Sequence, residues 1–163
     1  MKDYLNYNGL AVMAHRGGSL EAPENTIESF KYAIEIGSDI IETDIQLSSD
    51  GVPYIFHDDD LKRIPGIEKN FNDLLASEID ELNIFGDFKI PTLEETLKQF
   101  PDTKFQIDFK TDEVVDPAIE IINKLPHVKK NLCIASFSSQ RLQKIKSKLS
   151  DVTYSMGPHE VLK

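Results

Sequence analysis

Two histidines and one arginine stand where catalytic groups are common, at the ends of short apolar segments. His15 follows residues 10–14 and precedes Arg16, and His57 follows residues 52–56. An imidazole titrates near neutral pH, so two of them can take one proton and donate another. The guanidinium of Arg16 offers a fixed fork of donors that suits phosphate. Either histidine alone is more typical of a structural or exposed position, so the combination carries the signal.

Acidic residues occur two positions from another polar residue in two segments, the spacing that places side chains on the same face of a strand. Glu42 and Asp44 are two residues apart, and so are Asp108 and Lys110, in segments that otherwise alternate with apolar residues. Three carboxylates that face one enclosed space repel one another unless a positive charge lies among them. Oxygen ligands favour a hard cation such as Mg²⁺ or Ca²⁺. An exposed sheet face whose polar residues meet water remains the alternative, equally compatible with the alternation by itself.

A hairpin would bring the second histidine to the acids. An antiparallel turn at residues 48–51, with Leu47 opposite Val52, places Glu42 opposite His57 on one face of the sheet. A bulge in either strand would break this register.

The set predicts phosphodiester chemistry. Hydrolysis of a phosphodiester requires a proton to leave the attacking oxygen and another to reach the leaving alkoxide, which His15 and His57 could provide. The charge on the non-bridging oxygens requires cations, which Arg16, Lys110 and a bound metal could supply.

The surrounding pattern predicts an α/β protein with a largely parallel sheet, because short apolar strands alternate with helices. The first helix is expected at residues 26–36, with Asn25 as its N-cap and Gly37 as its stop. Thr92 and Glu95 predict a capping box for a second helix, and residues 58–90 are expected to be irregular with one short helix. The expected strands are residues 10–14, 40–47, 52–56, 104–110, 132–136 and 152–155.

Composition excludes several classes of function. The 163 residues carry 18 Lys and Arg against 28 Asp and Glu, a net charge of −10 that would repel nucleic acid. The single cysteine excludes an internal disulfide and the multi-cysteine zinc modules. No apolar stretch approaches the roughly 18 residues of a membrane span, so stable membrane insertion is not expected. The first residues lack the apolar block of a signal peptide, which predicts a cytoplasmic location.

The ordered motifs resemble the glycerophosphodiester phosphodiesterase family, within the phosphatidylinositol-phospholipase-C-like superfamily. Each motif is weak, but they occur in family order over essentially the whole chain. They are His15-Arg16-Gly17, Pro23-Glu24-Asn25-Thr26, Glu42-Thr43-Asp44, Asp50-Gly51-Val52-Pro53, His57-Asp58, Pro91-Thr92-Leu93-Glu94-Glu95, Asp108-Phe109-Lys110 and Ser136-Phe137.

The resemblance implies a (β/α)₈ barrel that hydrolyses glycerophosphodiesters, as small-molecule substrates, to sn-glycerol 3-phosphate and an alcohol with the aid of a divalent metal. It implies three groups of residues: acid–base residues, phosphate ligands and metal ligands. They are, respectively, His15 and His57; Arg16 and Lys110; and Glu42, Asp44 and Asp108. Which histidine acts as the base is left open.

Two departures from the family pattern qualify this interpretation. The family usually has Glu at the position of Asp108, and the lost methylene shortens the reach by about 1.5 Å. A barrel of this type usually needs about 200 to 250 residues, so residues 1–163 are expected to form its N-terminal part, with about five or six strands. Unpaired sheet edges would favour self-association. A fragment or truncated product is favoured over a protomer completed by a partner.

Two other functions stay open. An inactive barrel remnant could bind phosphorylated ligands or a partner protein. An enzyme of the sphingomyelinase-D or phosphoinositide type, in the same superfamily, would form a cyclic phosphate.

Overall fold

One six-stranded sheet organises the described part of the chain. The structure is a computed structural model that describes residues 3–6, 9–18, 20–64 and 66–157. The strands are β1 (Met13–His15), β2 (Ile40–Leu47), β3 (Pro53–Ile55), β4 (Lys104–Phe109), β5 (Leu132–Ala135) and β6 (Thr153–Tyr154). The helices are α1 (Ile27–Glu35), α2 (Ala76–Glu81), α3 (Leu93–Gln99), α4 (Val115–Lys124) and α5 (Ser139–Lys148), with 3₁₀ turns at Asp3–Leu5, Phe71–Asp73 and Pro126–Asn131.

Five strands run parallel in the order β1-β2-β4-β5-β6, and β3 pairs antiparallel with β2. The predicted α/β fold with a largely parallel sheet is therefore confirmed. The predicted strands are all present; β2 has the predicted ends, and the ends of the others are shifted. The first of them moves furthest, because its ladder begins only where Met13 pairs with Ile40. Just before it, the Val12 backbone N–H donates to the Asp39 carboxylate instead.

The two faces of β2 and β4 differ as the alternation predicts. Ile41 and Ile45 on β2, and Phe105 and Phe109 on β4, are almost completely buried on one face. They form the main core with apolar residues of α1, α3, α4 and α5, among them Phe30, Leu97, Ile122 and Ile145. Packing of this face leaves the other face of the same strands free to carry polar groups.

The first helix begins one residue later than predicted. Its N-cap is Thr26 rather than Asn25: the Thr26 hydroxyl accepts from the Ser29 backbone N–H, and the Ser29 hydroxyl completes the capping box. Gly37 follows the helix with a φ of +91°, as expected of a stop residue. The capping box of Thr92 and Glu95 is confirmed at the start of α3.

The predicted hairpin register is wrong by one residue. Leu47 pairs with Pro53, not Val52, because Ser48 and Val52 close the turn themselves. The Ser48 N–H donates to the Val52 carbonyl, and the Val52 N–H donates to the Ser48 hydroxyl. Gly51, with a φ of +90°, completes a three-residue loop. The expected pairing of Glu42 with His57 therefore does not form in the ladder.

Residues 58–90 are irregular, as predicted, with α2 as the one α-helix among those that the structure describes, and they pack with the end of β3 into a second core. Its buried members are Tyr54, Phe56, Leu61, Ile64, Phe71, Leu74, Ile79, Ile84 and Ile90. This second core fixes the segment that follows β3. Within the described ranges, no helix is long and apolar enough to cross a membrane. The expectations for residues 158–163 lie outside the described residues.

Candidate active site

All seven residues singled out from the sequence line one cavity of about 600 Å³ at the carboxyl ends of the parallel strands. They are His15, Arg16, Glu42, Asp44, His57, Asp108 and Lys110. The parallel registers explain the convergence, since His15 pairs with Glu42 and Asp44 pairs with Asp108. His57 lies two residues beyond the end of β3 and lines the same cavity, although its predicted pairing with Glu42 does not form.

The turn after β1 places Arg16 against the acids. Arg16 has a φ of +57°, and its backbone N–H donates to the Glu42 carbonyl at 2.9 Å. Gly17 is required beside it, since a Cβ there would lie 2.9 Å from the Ser29 backbone. Arg16 Nη1 lies 3.0 Å from Glu24 Oε1, and Nε lies 3.6 Å from Asp44 Oδ2. Nε is buried without a hydrogen-bond partner among the described residues, so it can donate to a ligand.

Asn25 is a site residue that sequence reasoning treated as a helix cap and as part of a motif, without a role in the site. It is buried with a φ of +59°, and its side chain lies between β2 and the Arg16 turn. The amide nitrogen donates to Asp44 Oδ2 at 3.2 Å, and the amide oxygen accepts from the Thr43 hydroxyl at 2.8 Å. Asn25 thereby fixes the orientation of the Asp44 carboxylate. Its occurrence in the Pro23–Thr26 motif was the available signal.

Lys110 lies between two of the carboxylates. Its ammonium is 2.8 Å from Asp44 Oδ1 and 2.8 Å from Asp108 Oδ2. Burial is the largest influence and favours the neutral amine, but the two carboxylates outweigh it and raise the pKa of Lys110 above its usual value. The lysine is therefore a fixed cation on the cavity floor.

Glu42 is the acid of the three whose negative charge is least offset by cations or hydrogen-bond donors. Burial, followed by repulsion from Asp44, raises the pKa of Glu42 to about 7. Its Oε2 has no hydrogen-bond partner in the described part of the structure, although His15 Nε2 lies 3.8 Å away. The His15 side chain is 73% exposed, so it faces the open side of the cavity.

His57 is held from behind by its neighbour in the chain. Its Nδ1 lies 2.7 Å from Asp58 Oδ1, which fixes the ring and directs Nε2 away from that carboxylate. Burial is the largest influence on Asp58 and opposes ionisation, but the hydrogen bonds from His57 and Arg63 outweigh it and lower the pKa of Asp58. Sequence reasoning noted Asp58 only as part of a motif.

The three carboxylates fit a divalent cation by their chemistry. Glu42 Oε2 and Asp108 Oδ1 are both buried and both lack a hydrogen-bond partner within the described ranges, which is costly unless a cation satisfies them. All the donors are oxygens, the preference of Mg²⁺ and Ca²⁺. As placed, no three acidic or histidine residues among those described form a metal-binding group. The Lys110 ammonium instead bridges Asp44 and Asp108.

Several cavity residues carried no chemical signal in the sequence. Gln106 lies on the polar face of β4, and Met13 and Met156 are apolar contributions from the two ends of the sheet. The Phe137 ring is 83% exposed, and Lys110 Nζ lies 5.8 Å from its centroid. Met13, Phe137 and Met156 give the cavity an apolar rim around a charged floor.

Comparison with known proteins gives consistent results. Residues 15–157 match the model of the glycerophosphoryl diester phosphodiesterase family. A glycerophosphodiester phosphodiesterase of Caldanaerobacter subterraneus is 34% identical over 161 residues, which cover 91% of this chain and 63% of that protein. Human glycerophosphodiester phosphodiesterase 1 is 31% identical over 156 residues, which cover 88% of this chain and 47% of that protein. The chain thus spans between about half and two thirds of these relatives.

Solved structures agree with the sequence matches. The glycerophosphodiester phosphodiesterase of Thermotoga maritima superposes with a TM-score of 0.77 and 36% identity, covering 91% of this chain and 62% of that one. An Oleispira antarctica phosphodiesterase, in complex with the product sn-glycerol-3-phosphate, superposes with a TM-score of 0.80 and 27% identity. The match covers 89% of this chain and 64% of that one. The described sheet is accordingly part of the expected (β/α)₈ barrel.

Proposed function

The chain belongs to the glycerophosphoryl diester phosphodiesterase family, and from this premise we propose that it hydrolyses glycerophosphodiesters to sn-glycerol 3-phosphate and an alcohol. The observation that carries the proposal is the single cavity lined by two imidazoles, two cationic side chains and three carboxylates. Arg16 and Lys110 place two positive charges in the cavity despite the net negative charge of the chain, which suits an anionic substrate.

Arg16 and Lys110 bind the phosphoryl group in this proposal. Arg16 and Lys110 both line the cavity, where their guanidinium and ammonium groups can donate to non-bridging oxygens. Charge on these oxygens increases as the reaction proceeds, so donors fixed in advance stabilise the transition state more than the substrate.

His15 and His57 carry the protons. One imidazole takes a proton from the attacking water as its oxygen bonds to phosphorus, and the other donates a proton to the alcohol oxygen as the second phosphorus–oxygen bond breaks. Asp58 holds His57 through Nδ1 and leaves Nε2 for this transfer.

The family's divalent metal would be held by Glu42, Asp44 and Asp108. A cation such as Mg²⁺ or Ca²⁺ supplies charge stabilisation to phosphoryl oxygens when bound there. The unpartnered oxygens Glu42 Oε2 and Asp108 Oδ1 support this assignment, and the Asn25 amide holds Asp44 in place for it.

The test is turnover of glycerophosphocholine followed by phosphorus NMR, with Mg²⁺, Ca²⁺ or EDTA present. We expect sn-glycerol 3-phosphate as the product with a divalent cation, and loss of turnover in EDTA. The His57→Asn variant should lose activity by about 10²- to 10⁴-fold, the usual contribution of an acid–base group. His127→Asn, which changes an exposed histidine, should retain it.

The other outcomes identify the alternative functions. A cyclic phosphate product would replace hydrolysis by the chemistry of the sphingomyelinase-D or phosphoinositide type. Binding of sn-glycerol 3-phosphate in calorimetry, without turnover by a monodisperse sample, would favour a remnant that binds phosphorylated ligands.

A further inference from the structure

One guanidinium outside the cavity connects two of the groups that line it. Arg63 Nη2 lies 2.5 Å from Glu24 Oε1, and Arg63 Nε donates to Asp58 Oδ2. Glu24 Oε1 also accepts from Arg16 Nη1 at 3.0 Å, and Asp58 Oδ1 lies 2.7 Å from His57 Nδ1. A continuous chain of charged contacts therefore runs from Arg16 to His57 through Arg63.

The backbone of Arg63 is fixed although its side chain is 48% exposed. Its neighbours Leu61 and Ile64 are buried in the second core. The Ile64 N–H donates to the Leu61 carbonyl at 2.8 Å, and the Leu61 N–H donates to the Lys69 carbonyl at 3.0 Å. The irregular segment after β3 thus delivers this side chain to a defined place.

The two carboxylates that Arg63 bridges are held as anions. Burial is the largest influence on each and opposes ionisation, but their contacts with Arg63, together with Arg16 at Glu24 and His57 at Asp58, outweigh it and lower the pKa of both. Each carboxylate is about one quarter exposed and has a site residue on one side and Arg63 on the other. Loss of Arg63 would leave both acids free to rotate away from the cavity residues.

We propose that Arg63 is a positioning residue that fixes Asp58 behind His57 and Glu24 behind Arg16, so that the proton-transfer group and the phosphate-binding group are held in one arrangement. The proposal rests on the proposed phosphodiesterase function. Arg63 acts through the orientation of the imidazole: an Asp58 held in place accepts from Nδ1–H and keeps the neutral ring in the tautomer whose Nε2 is unprotonated. A planar fork with donors on two edges suits this bridge, whereas an ammonium is a point charge.

The expected effect of removing Arg63 differs from that of breaking an ordinary ion pair on the surface. An exposed ion pair contributes about 0–1 kcal/mol to stability and leaves the tautomer of a distant histidine unchanged. The ¹⁵N shifts of the His57 ring report the tautomer directly and require no turnover. They therefore separate a failure of this inference from a failure of the proposed function.

The experiment compares Arg63→Gln with Lys62→Gln. The second substitution changes the residue next to Arg63 and removes an exposed ion pair between Lys62 and Asp60. The His57 signal is assigned by its loss in His57→Asn, and spectra are recorded at a pH where the wild-type ring is neutral. We expect wild type and Lys62→Gln to have the Nδ1–H tautomer, and Arg63→Gln to contain a mixture with Nε2–H. We expect kcat for glycerophosphocholine to fall about 10- to 100-fold in Arg63→Gln and to stay unchanged in Lys62→Gln. The range is the one found when groups that hold metal-binding histidines in place are removed.

Arg63→Lys provides the second variant, because it keeps the charge without the fork. We expect intermediate nitrogen shifts and an intermediate kcat. Arg63→Gln and Arg63→Lys spectra identical to those of Lys62→Gln would overturn the inference, whatever the activity of the protein. A tautomer change in a protein that hydrolyses no glycerophosphodiester would support the positioning of His57 and contradict the proposed function.

Discussion

The ammonium of Lys110 lies 2.8 Å from Asp44 Oδ1, on the floor of the cavity that both side chains line. The same ammonium bonds Asp108 at 2.8 Å, so one fixed cation serves two buried carboxylates. This arrangement offsets the repulsion between Asp44 and Asp108 on one face of the sheet, and it places an ammonium beside the oxygens that would hold a divalent cation in the proposed function.

Removal of Lys110 should therefore destabilise the metal-free protein. We expect Lys110→Met to lower the free energy of unfolding by about 2 kcal/mol, less than the 3–5 kcal/mol for a fully buried pair because the ammonium is partly exposed. Urea denaturation in EDTA measures the change. Lys98→Met, which breaks an exposed pair with Glu94, should cost about 0.5 kcal/mol or less. Equal effects of the two substitutions would contradict the bridging role.

Divalent cations should stabilise the fold through the carboxylates. At 100 times the dissociation constant, Mg²⁺ or Ca²⁺ should add about 2.7 kcal/mol to the free energy of unfolding. Asp44→Asn should abolish the gain, because the central carboxylate loses its charge. Asp102→Asn changes an exposed acid just before β4 and should retain the gain. Thermal melts with and without the cation test this, and a gain that survives Asp44→Asn would place the cation elsewhere.

The raised pKa of Glu42 predicts a pH-dependent effect of its removal. A carboxyl whose pKa is about 7 when folded and 4.5 ordinarily stabilises the folded state only while protonated. This contribution is present in full below pH 4.5 and is lost as the pH rises through 7. Glu42→Gln should accordingly be more stable than wild type at pH 8, by at most about 3 kcal/mol, and equally stable at pH 4.

Urea denaturation of metal-free protein at several pH values measures this difference. The exposed Glu81→Gln variant is the control, and its difference from wild type should not vary with pH. A Glu42→Gln difference that is constant from pH 4 to 8 would show that the acid is not perturbed.

Asn25 should matter more to stability than its place before a helix suggests. Asn25→Ala removes bonds to Thr43 and Asp44 and leaves alanine at a φ of +59°. We expect a loss of about 3 kcal/mol, of which about 1 kcal/mol comes from the backbone. Asp151→Ala, at an exposed residue with a φ of +65°, removes an exposed hydrogen bond from the Ser150 hydroxyl and should cost little beyond the backbone part. Similar losses in the two variants would leave no role for the Asn25 amide.

Local periodicity was sufficient to predict only some of the residues that line the cavity. Alternation along β2 and β4 depends only on the geometry of a strand, so the shared face of Glu42, Asp44 and Asp108 could be predicted without tertiary information. The hairpin register could not, because it depends on whether the Ser48 hydroxyl closes the turn. A shift of one residue in this register changes every cross-strand pair and moves the side chains of one strand to the opposite face relative to the other.

Contacts between distant segments were beyond the reach of the sequence. Asn25 bonds strand residues 18 and 19 positions away, and Arg63 bonds Glu24 across 39 positions. Nothing in the spacing of these residues predicts such pairs. The motif containing Asn25 and the polar run after His57 marked the two segments, but only the fold brings them to the same side of the cavity.

The most direct test of the account asks whether the metal and the phosphoryl group share the cavity. Mn²⁺, which accepts the same oxygen ligands as Mg²⁺, strongly relaxes nearby phosphorus nuclei. With sn-glycerol 3-phosphate and Mn²⁺ bound to the protein, we predict strong enhancement of phosphorus relaxation in wild type and Asp102→Asn, and its loss in Asp44→Asn. Phosphate that binds without enhancement, or enhancement that persists in Asp44→Asn, would contradict a common site.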